Sequence, residues 1–272
     1  MAAIASASAP AALSVPYASG PRRTLDVYRP RDAAGAPVVV FFYGGSWQGG
    51  RKERYRFVGK ALARRGIVSV IADYRVHPEV SYPEFIEDGA RAVRWTAAEI
   101  AGHGGDPGRI FVMGHSAGAY IAAMLALDRR WLARAPGCPV AIAGLIGLSG
   151  PYDFLPIRDP ALIGIFGGAN RPETQPIHHV PARPPPALLI TGTADRVVDP
   201  DNSMRLAARL EQAGGAVRLL RYRHVGHVLT VAALALPAPL SWLLPVRKAV
   251  TAFIGETSRP AMLRSPATSE AA

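Results

Sequence analysis

An apolar run over residues 110–113 passes without interruption into Gly114-His115-Ser116-Ala117-Gly118 and then into a stretch of small and apolar residues ending at Leu127. The run reads as a buried strand and the stretch from Ala117 as a helix. A chain that leaves a strand and enters a helix within five residues must turn sharply, which drives the central serine into strained backbone geometry. The flanking glycines keep the turn from colliding with neighbouring backbone. G-x-S-x-G is a common pattern in itself, and its bland reading is a glycine-rich turn that needs a small residue. Between a strand and a helix it predicts more. The Ser116 hydroxyl then projects above the C-terminal edge of a sheet, beside the positive end of the following helix.

The rest of the chain repeats one theme: a short β-branched or aromatic run, a glycine-containing turn, then ten or more residues with helical spacing. Strands are expected over residues 24–29, 38–43, 67–72, 110–113, 140–148, 187–191 and 217–222. Helices are expected over 53–65, 84–99, 117–127, 202–213 and 246–254. Such alternation predicts an α/β fold with a mostly parallel central sheet and helices on both faces. The pattern breaks in a proline-rich segment at residues 151–186, the candidate cap. Within it Asp159 suits an N-cap, Pro160 the first helical position and Gly167 the stop, so a short helix is expected over 160–166. The expected organisation is a single domain over 21–256, with flexible segments at 1–20 and 257–272.

At 272 residues, 49% of them hydrophobic, the chain is long enough for one large buried core. Its formal charge of +11 raises nucleic acid or an anionic membrane as a partner. The basic residues are nearly all arginines spread along the chain, however, which points to a solvated basic surface and away from nucleic acid. Residues 228–244 approach membrane-spanning length, but Pro237 and Pro239 interrupt them, and they read as loop and helix packed on the domain. The single cysteine, Cys138, excludes an intramolecular disulfide and multi-cysteine metal sites, and reads as an inert thiol. Residues 1–12 lack a basic n-region. Cytoplasmic residence is the favoured expectation, with export open if this stretch is a trimmed signal segment.

Upstream of the serine, Phe42-Tyr43-Gly44-Gly45-Ser46-Trp47 follows a buried strand, and its two glycines leave backbone N–H groups free to face a ligand. Acyl transfer needs two or three such donors aimed at the tetrahedral oxygen; Gly45, Ser46 and Ala117 are the candidates. An ordinary Gly-Gly turn is the alternative. Residues 43–47, Asp73-Tyr74-Arg75, Pro83 with Asp88, and Gly114–Gly118 together resemble the esterase branch of the α/β-hydrolases that includes hormone-sensitive-lipase-like carboxylesterases and arylformamidases. The resemblance extends from about Leu25 to Ile254. It implies the α/β-hydrolase fold and a serine nucleophile, with no metal or organic cofactor. The family usually carries histidine where this chain has Tyr43, which implies different hydrogen bonds bracing the loop. Asp73, Arg75 and Asp88 are expected in a buried ion pair or helix contact, outside the catalytic set.

The same resemblance implies an acid after the strand that follows the cap and a base after the last strand. Residues 188–191 lead through a turn to Asp195, the expected acid; Asp199 precedes a proline and Asp201 sits where a helix begins. His224 and His227 both follow the last strand, and Gly226-His227 matches the family's Gly-His pair, which favours His227. His77, His103, His178 and His179 are expected on surface or loops, the last two within reach of the pocket if the cap folds inward. Trp47, Tyr120, Phe154 and Phe166 are candidate pocket walls. The implied activity is hydrolysis of a small-molecule ester with a small or medium acyl group. Two alternatives stand beside it: an arylformamidase cleaving formylkynurenine-type amides, and a non-catalytic binding protein that keeps the fold. Oligomeric state is left open.

Overall fold

The computed structural model describes residues 10–133, 140–237 and 240–258. Its strands are β1 (Pro10–Pro16), β2 (Thr24–Tyr28), β3 (Ala36–Phe42), β4 (Val68–Ala72), β5 (Gly105–His115), β6 (Ile142–Leu148), β7 (Ala187–Gly192) and β8 (Val217–Tyr222). Its helices are α1 (Arg56–Ala63), α2 (Glu84–Glu99), α3 (Ala117–Leu127), α4 (Arg130–Ala133), α5 (Pro160–Phe166), α6 (Asp201–Gln212), α7 (Leu229–Ala232) and α8 (Val246–Thr257). One sheet runs in the order β1-β2-β4-β3-β5-β6-β7-β8. The pairings β1–β2 and β2–β4 are antiparallel and the others parallel.

The central strands are covered on both faces, so they carry unbroken apolar runs: every residue of β4 and of β7 is buried. Helix α3 is buried along its whole length between the sheet and α2, which is why its sequence shows no polar face at all. By contrast α2 buries Phe85, Ile86, Ala90 and Val93 and turns Glu87 and Arg91 toward solvent. The short helix α5 has the expected ends. Asp159 accepts from the N–H groups of Ala161 and Leu162, Pro160 opens the helix, and Gly167 closes it in the left-handed conformation.

The expectation of a flexible segment over residues 1–20 is corrected from Pro10 onward, because β1 forms the edge of the sheet. The cause is a buried polar cluster at Lys52, which is 2% exposed. Lys52 Nζ binds Asp26 Oδ1 at 2.9 Å and Ser14 Oγ at 3.0 Å, and the Ser14 N–H donates to the same carboxylate oxygen at 2.9 Å. A charge taken out of water costs several kcal/mol unless it is paired. The edge strand supplies part of that pairing, so it is held. Burial alone would lower the Lys52 pKa, but its bonds to Asp26 and Glu53 raise it. Cys138, residues 1–9 and residues 259–272, most of the expected C-terminal tail, lie outside the described residues. Among the described residues no helix is long and apolar enough to cross a membrane.

Candidate active site

Strand β5 ends at His115 and α3 begins at Ala117, so Ser116 alone makes the turn, with φ 54° and ψ −126°. A non-glycine residue held there stores roughly 1–3 kcal/mol of strain. The surroundings fix it: the Ser116 N–H donates to Leu148 O at 2.9 Å, and its carbonyl accepts from Ala119 N at 2.9 Å and Tyr120 N at 3.2 Å. The two glycines of the motif are sterically required. A Cβ at Gly114 would collide with the backbone of Gly118, and one at Gly118 with the Phe42 carbonyl at the end of β3. The elbow therefore packs backbone against backbone on the strand that leads into the second loop.

That loop lies directly over the serine. A Cβ at Gly44 would stand 2.9 Å from the Ser116 Cβ. Gly45, Ser46 and Trp47 follow with φ of 141°, 52° and 57°. The turn is closed by Gln48 N and Gly49 N, which donate to Gly45 O at 2.9 and 3.0 Å. Among the described residues no acceptor takes the backbone N–H of Gly45, Ser46 or Ala117. From beneath, the Tyr43 hydroxyl donates to Asp73 Oδ1, Arg22 Nη2 donates to Gly50 O at 2.8 Å, and Tyr74 donates to Tyr43 O at 2.7 Å. Asp73 thus braces the loop, while Arg75 binds the buried Asp88 through Nε at 2.7 Å and Nη2 at 2.9 Å.

The loops after β7 and β8 are tied together: Thr193 N donates to Tyr222 O at 2.9 Å, Ala194 N to Val225 O at 3.0 Å, and His224 N to Thr193 Oγ1 at 3.0 Å. This brings His227 Nδ1 to 2.8 Å from Asp195 Oδ2. The other oxygen of Asp195 accepts from Val197 N at 2.9 Å and Val198 N at 3.0 Å. Burial opposes the charge of Asp195, but the Val198 N–H, the His227 ring and the Val197 N–H outweigh it and hold the carboxyl below its usual range. A carboxylate only accepts, so Nδ1 carries the imidazole proton and Nε2 is left as the basic nitrogen. His224 is exposed and makes no side-chain bond to Asp195. The side chain of Asp199 accepts from Asp201 N at 3.0 Å, at the start of α6.

Ser116 opens onto a cleft of about 360 Å³. Trp47 and Phe154 line it, but Tyr120 and Phe166, expected as walls, do not. Both are fully buried and stand behind Trp47, edge-on to its ring at 5.2 and 4.9 Å. Tyr120 belongs to the all-buried α3 and spends its hydroxyl on Thr174 O at 2.6 Å, so it supports the wall without forming it. Leu155, Leu162, Val197 and the ion pair Arg205–Asp153, at 2.6 Å, complete the cleft. They come from the cap, from the loop after β7 and from α6, and none of them was singled out by the sequence. His178 and His179 do not line it; His179 Nε2 lies 2.8 Å from Glu173 O. Among the described residues no group of three or more His, Cys, Asp or Glu is arranged to hold a metal.

The strand order, the serine elbow and the loop above it define an α/β-hydrolase. The BD-FAE family model matches residues 25–210, and the chain belongs to the BD-FAE family. It is 32% identical over 238 residues to a probable isoprenylcysteine alpha-carbonyl methylesterase of Arabidopsis thaliana, covering 79% of this chain and 50% of the relative. It is 31% identical over 215 residues to the esterase LipC of Mycobacterium tuberculosis, covering 71% of this chain and 53% of the relative. The chain thus spans about half the length of these curated relatives. Among solved structures, a Thermogutta terrifontis esterase with propionate bound superposes with TM-score 0.72 at 25% identity, covering 88% of this chain and 92% of that one. A truncated carbohydrate esterase from gut microbiota shares the fold, with TM-score 0.80 at 21% identity and 94% and 98% coverage.

Proposed function

We propose that the chain hydrolyses carboxylic esters of small or medium acyl groups through an acyl-enzyme on Ser116. The observation that carries this reading is the His227–Asp195 bond. It commits Nδ1 to the carboxylate and leaves Nε2 to receive the serine proton, on the same edge of the sheet as a serine held in a strained elbow. The Ser116 oxygen attacks the ester carbonyl as its proton passes to His227 Nε2. Asp195 stabilises the imidazolium, and the N–H groups of Gly45, Ser46 and Ala117 receive the charge that develops on the carbonyl oxygen. The imidazolium then protonates the departing alcohol, and a water activated by the same histidine releases the acid.

The choice of ester over formamide is supported by the relatives, which are named as esterases and methylesterases. A small acyl group is favoured by the size of the cleft and by the likeness to an esterase that holds propionate. The test is a panel of aryl esters of increasing acyl length together with an aryl formamide, assayed with wild type and Ser116→Ala. The expected result is a burst of alcohol from short-chain esters, slower formamide turnover and no turnover by the variant. Undiminished turnover by Ser116→Ala would overturn the reading. Failure of folded wild type to react with a fluorophosphonate would favour a non-catalytic role.

A further inference from the structure

The residue that precedes the nucleophile is a buried histidine, and the proposed chemistry gives it no task. Its ring lies against that of His227, centroids 4.7 Å apart, and its Nε2 is 3.1 Å from the backbone carbonyl of His227. The carbonyl can only accept, so Nε2 carries the proton and Nδ1 keeps its lone pair. Nδ1 is buried and meets no partner. A Cβ at Gly44 would lie 3.1 Å from it, so the loop backbone covers that side.

The His227 carbonyl is held from a second direction as well. Thr230 Oγ1 donates to it at 2.8 Å and is itself 3.0 Å from Ser149 Oγ. Thr230 is three residues on and, through Ser149, holds that turn to the end of β6. His115 is 112 residues away in sequence and adjoins Ser116, so its bond ties the elbow to the loop of the base. We infer that His115 is a positioning residue: as a neutral Nε2–H donor to the His227 carbonyl, it sets the spacing between nucleophile and base. The inference rests on the reading of Ser116 and His227 as that pair.

Neutrality matters to the role. His227 and Asp195 are the titratable groups that face the ring, and His227 gains a positive charge in each proton transfer. A second charge at His115 would oppose that gain. Burial and the neighbouring His227 keep the His115 ring neutral, with its pKa pushed down to about 4.

The test compares His115→Gln, whose amide can still reach and donate, with His115→Leu, which fills similar space and cannot. The substrate is 4-nitrophenyl acetate, and Ser116→Ala is run alongside. A misplaced base loses roughly ten- to a hundredfold in rate. The leucine variant is expected to lose at least tenfold in kcat with KM within twofold of wild type, while the glutamine variant stays within threefold of wild type in both. The far-downfield His227 Nδ1–H proton resonance should survive in the glutamine variant and shift or broaden in the leucine variant. A leucine variant with wild-type kcat, or equal losses in both variants, would overturn the positioning role. If the leucine variant does not fold, His115→Asn, too short to reach the carbonyl, takes its place: asparagine impaired and glutamine active supports the role, and equal activity overturns it. An active Ser116→Ala would instead sink the esterase reading, so the two failures are distinguishable.

Discussion

The Tyr43 hydroxyl donates to Asp73 Oδ1 at 2.6 Å, and the Lys52 N–H donates to the same oxygen at 2.9 Å. Tyrosine here does the work that the esterase resemblance expects of a histidine, reaching from the end of β3 to a carboxylate after β4. Burial first, and then the neighbouring Tyr74 and Asp73, push the Tyr43 pKa well up, so the phenol stays a donor across the working pH range. Tyr43→Phe removes one of the two donors to a buried carboxylate oxygen. The expected cost is about 1–3 kcal/mol of stability, read by urea unfolding. Because the same contact braces the Gly45–Ser46 turn, the rate of fluorophosphonate labelling at Ser116 should fall with it. A variant with unchanged stability and labelling would show that the ring packing alone holds the loop.

Acid should weaken the fold in two separable windows. His115 has a folded pKa of about 4, below the unfolded value of about 6.5. Above the unfolded value both states are neutral and stability is whole. As pH falls from about 6.5 to 4 the unfolded chain takes up a proton that the folded one refuses, and stability drops by up to about 3 kcal/mol. Asp195 acts in the same direction but at lower pH: its folded pKa is also depressed, so its contribution persists above about pH 4 and is lost only further into acid. Unfolding free energies measured at steps from pH 7 to pH 4 should show the first loss in wild type and a flatter profile in His115→Gln. Identical slopes would contradict this assignment.

Asp195→Asn tests the tautomer argument. An amide can present its N–H to Nδ1, which then has to accept, and the proton moves to Nε2 where the base is needed. Turnover at pH 7 should fall by about three to four orders of magnitude, with KM little altered. Steady-state kinetics on a short-chain aryl ester reads both parameters. A loss in KM alone would place Asp195 in binding and not in catalysis.

Phe154 faces the cleft and stacks on Trp47 with centroids 6.1 Å apart, whereas Phe166 and Tyr120 lie behind. Phe154→Ala should enlarge the cleft and move the preferred acyl chain to greater length, seen as a rise in the ratio of kcat/KM for the octanoyl ester over the acetyl ester. Tyr120→Phe should leave that ratio unchanged and cost stability instead. The reverse pattern would mean that the walls have been misassigned.

Much of the fold was legible because its signals are local. The helix Glu84–Glu99 and the capped helix Pro160–Phe166 have the bounds read from periodicity, Asp159 and Gly167. Helix α1 begins later than expected because residues 52–55 form a 3₁₀ turn whose Lys52 is drawn into the interior. Strand β1 escaped notice for a related reason. Its bulged sequence has little pattern, and its place depends on the distant Asp26 and Lys52. At the site, Ser116, Asp195 and His227 each follow a strand and could be located by position along the chain. Of the cleft, Trp47 and Phe154 were legible, but Leu155, Leu162, Val197 and Arg205 join them only through tertiary packing. Spacing also cannot say which aromatic of a cluster faces outward, so Tyr120 and Phe166 were indistinguishable from Phe154.

One buried side chain joins the cap to the acid. Asn202, in the first turn of α6, accepts through Oδ1 from the N–H groups of both Tyr152 and Asp153, each at 2.9 Å, and donates through Nδ2 to Asp199 O at 3.1 Å. Asp199 closes the short loop that begins at Asp195. Any exchange of the cap to alter acyl preference therefore transmits force to the carboxylate partner of His227. A transplanted cap would need to preserve that paired N–H dock, and a library that varies residues 154–171 while sparing 152, 153 and 202 would separate specificity from catalytic competence.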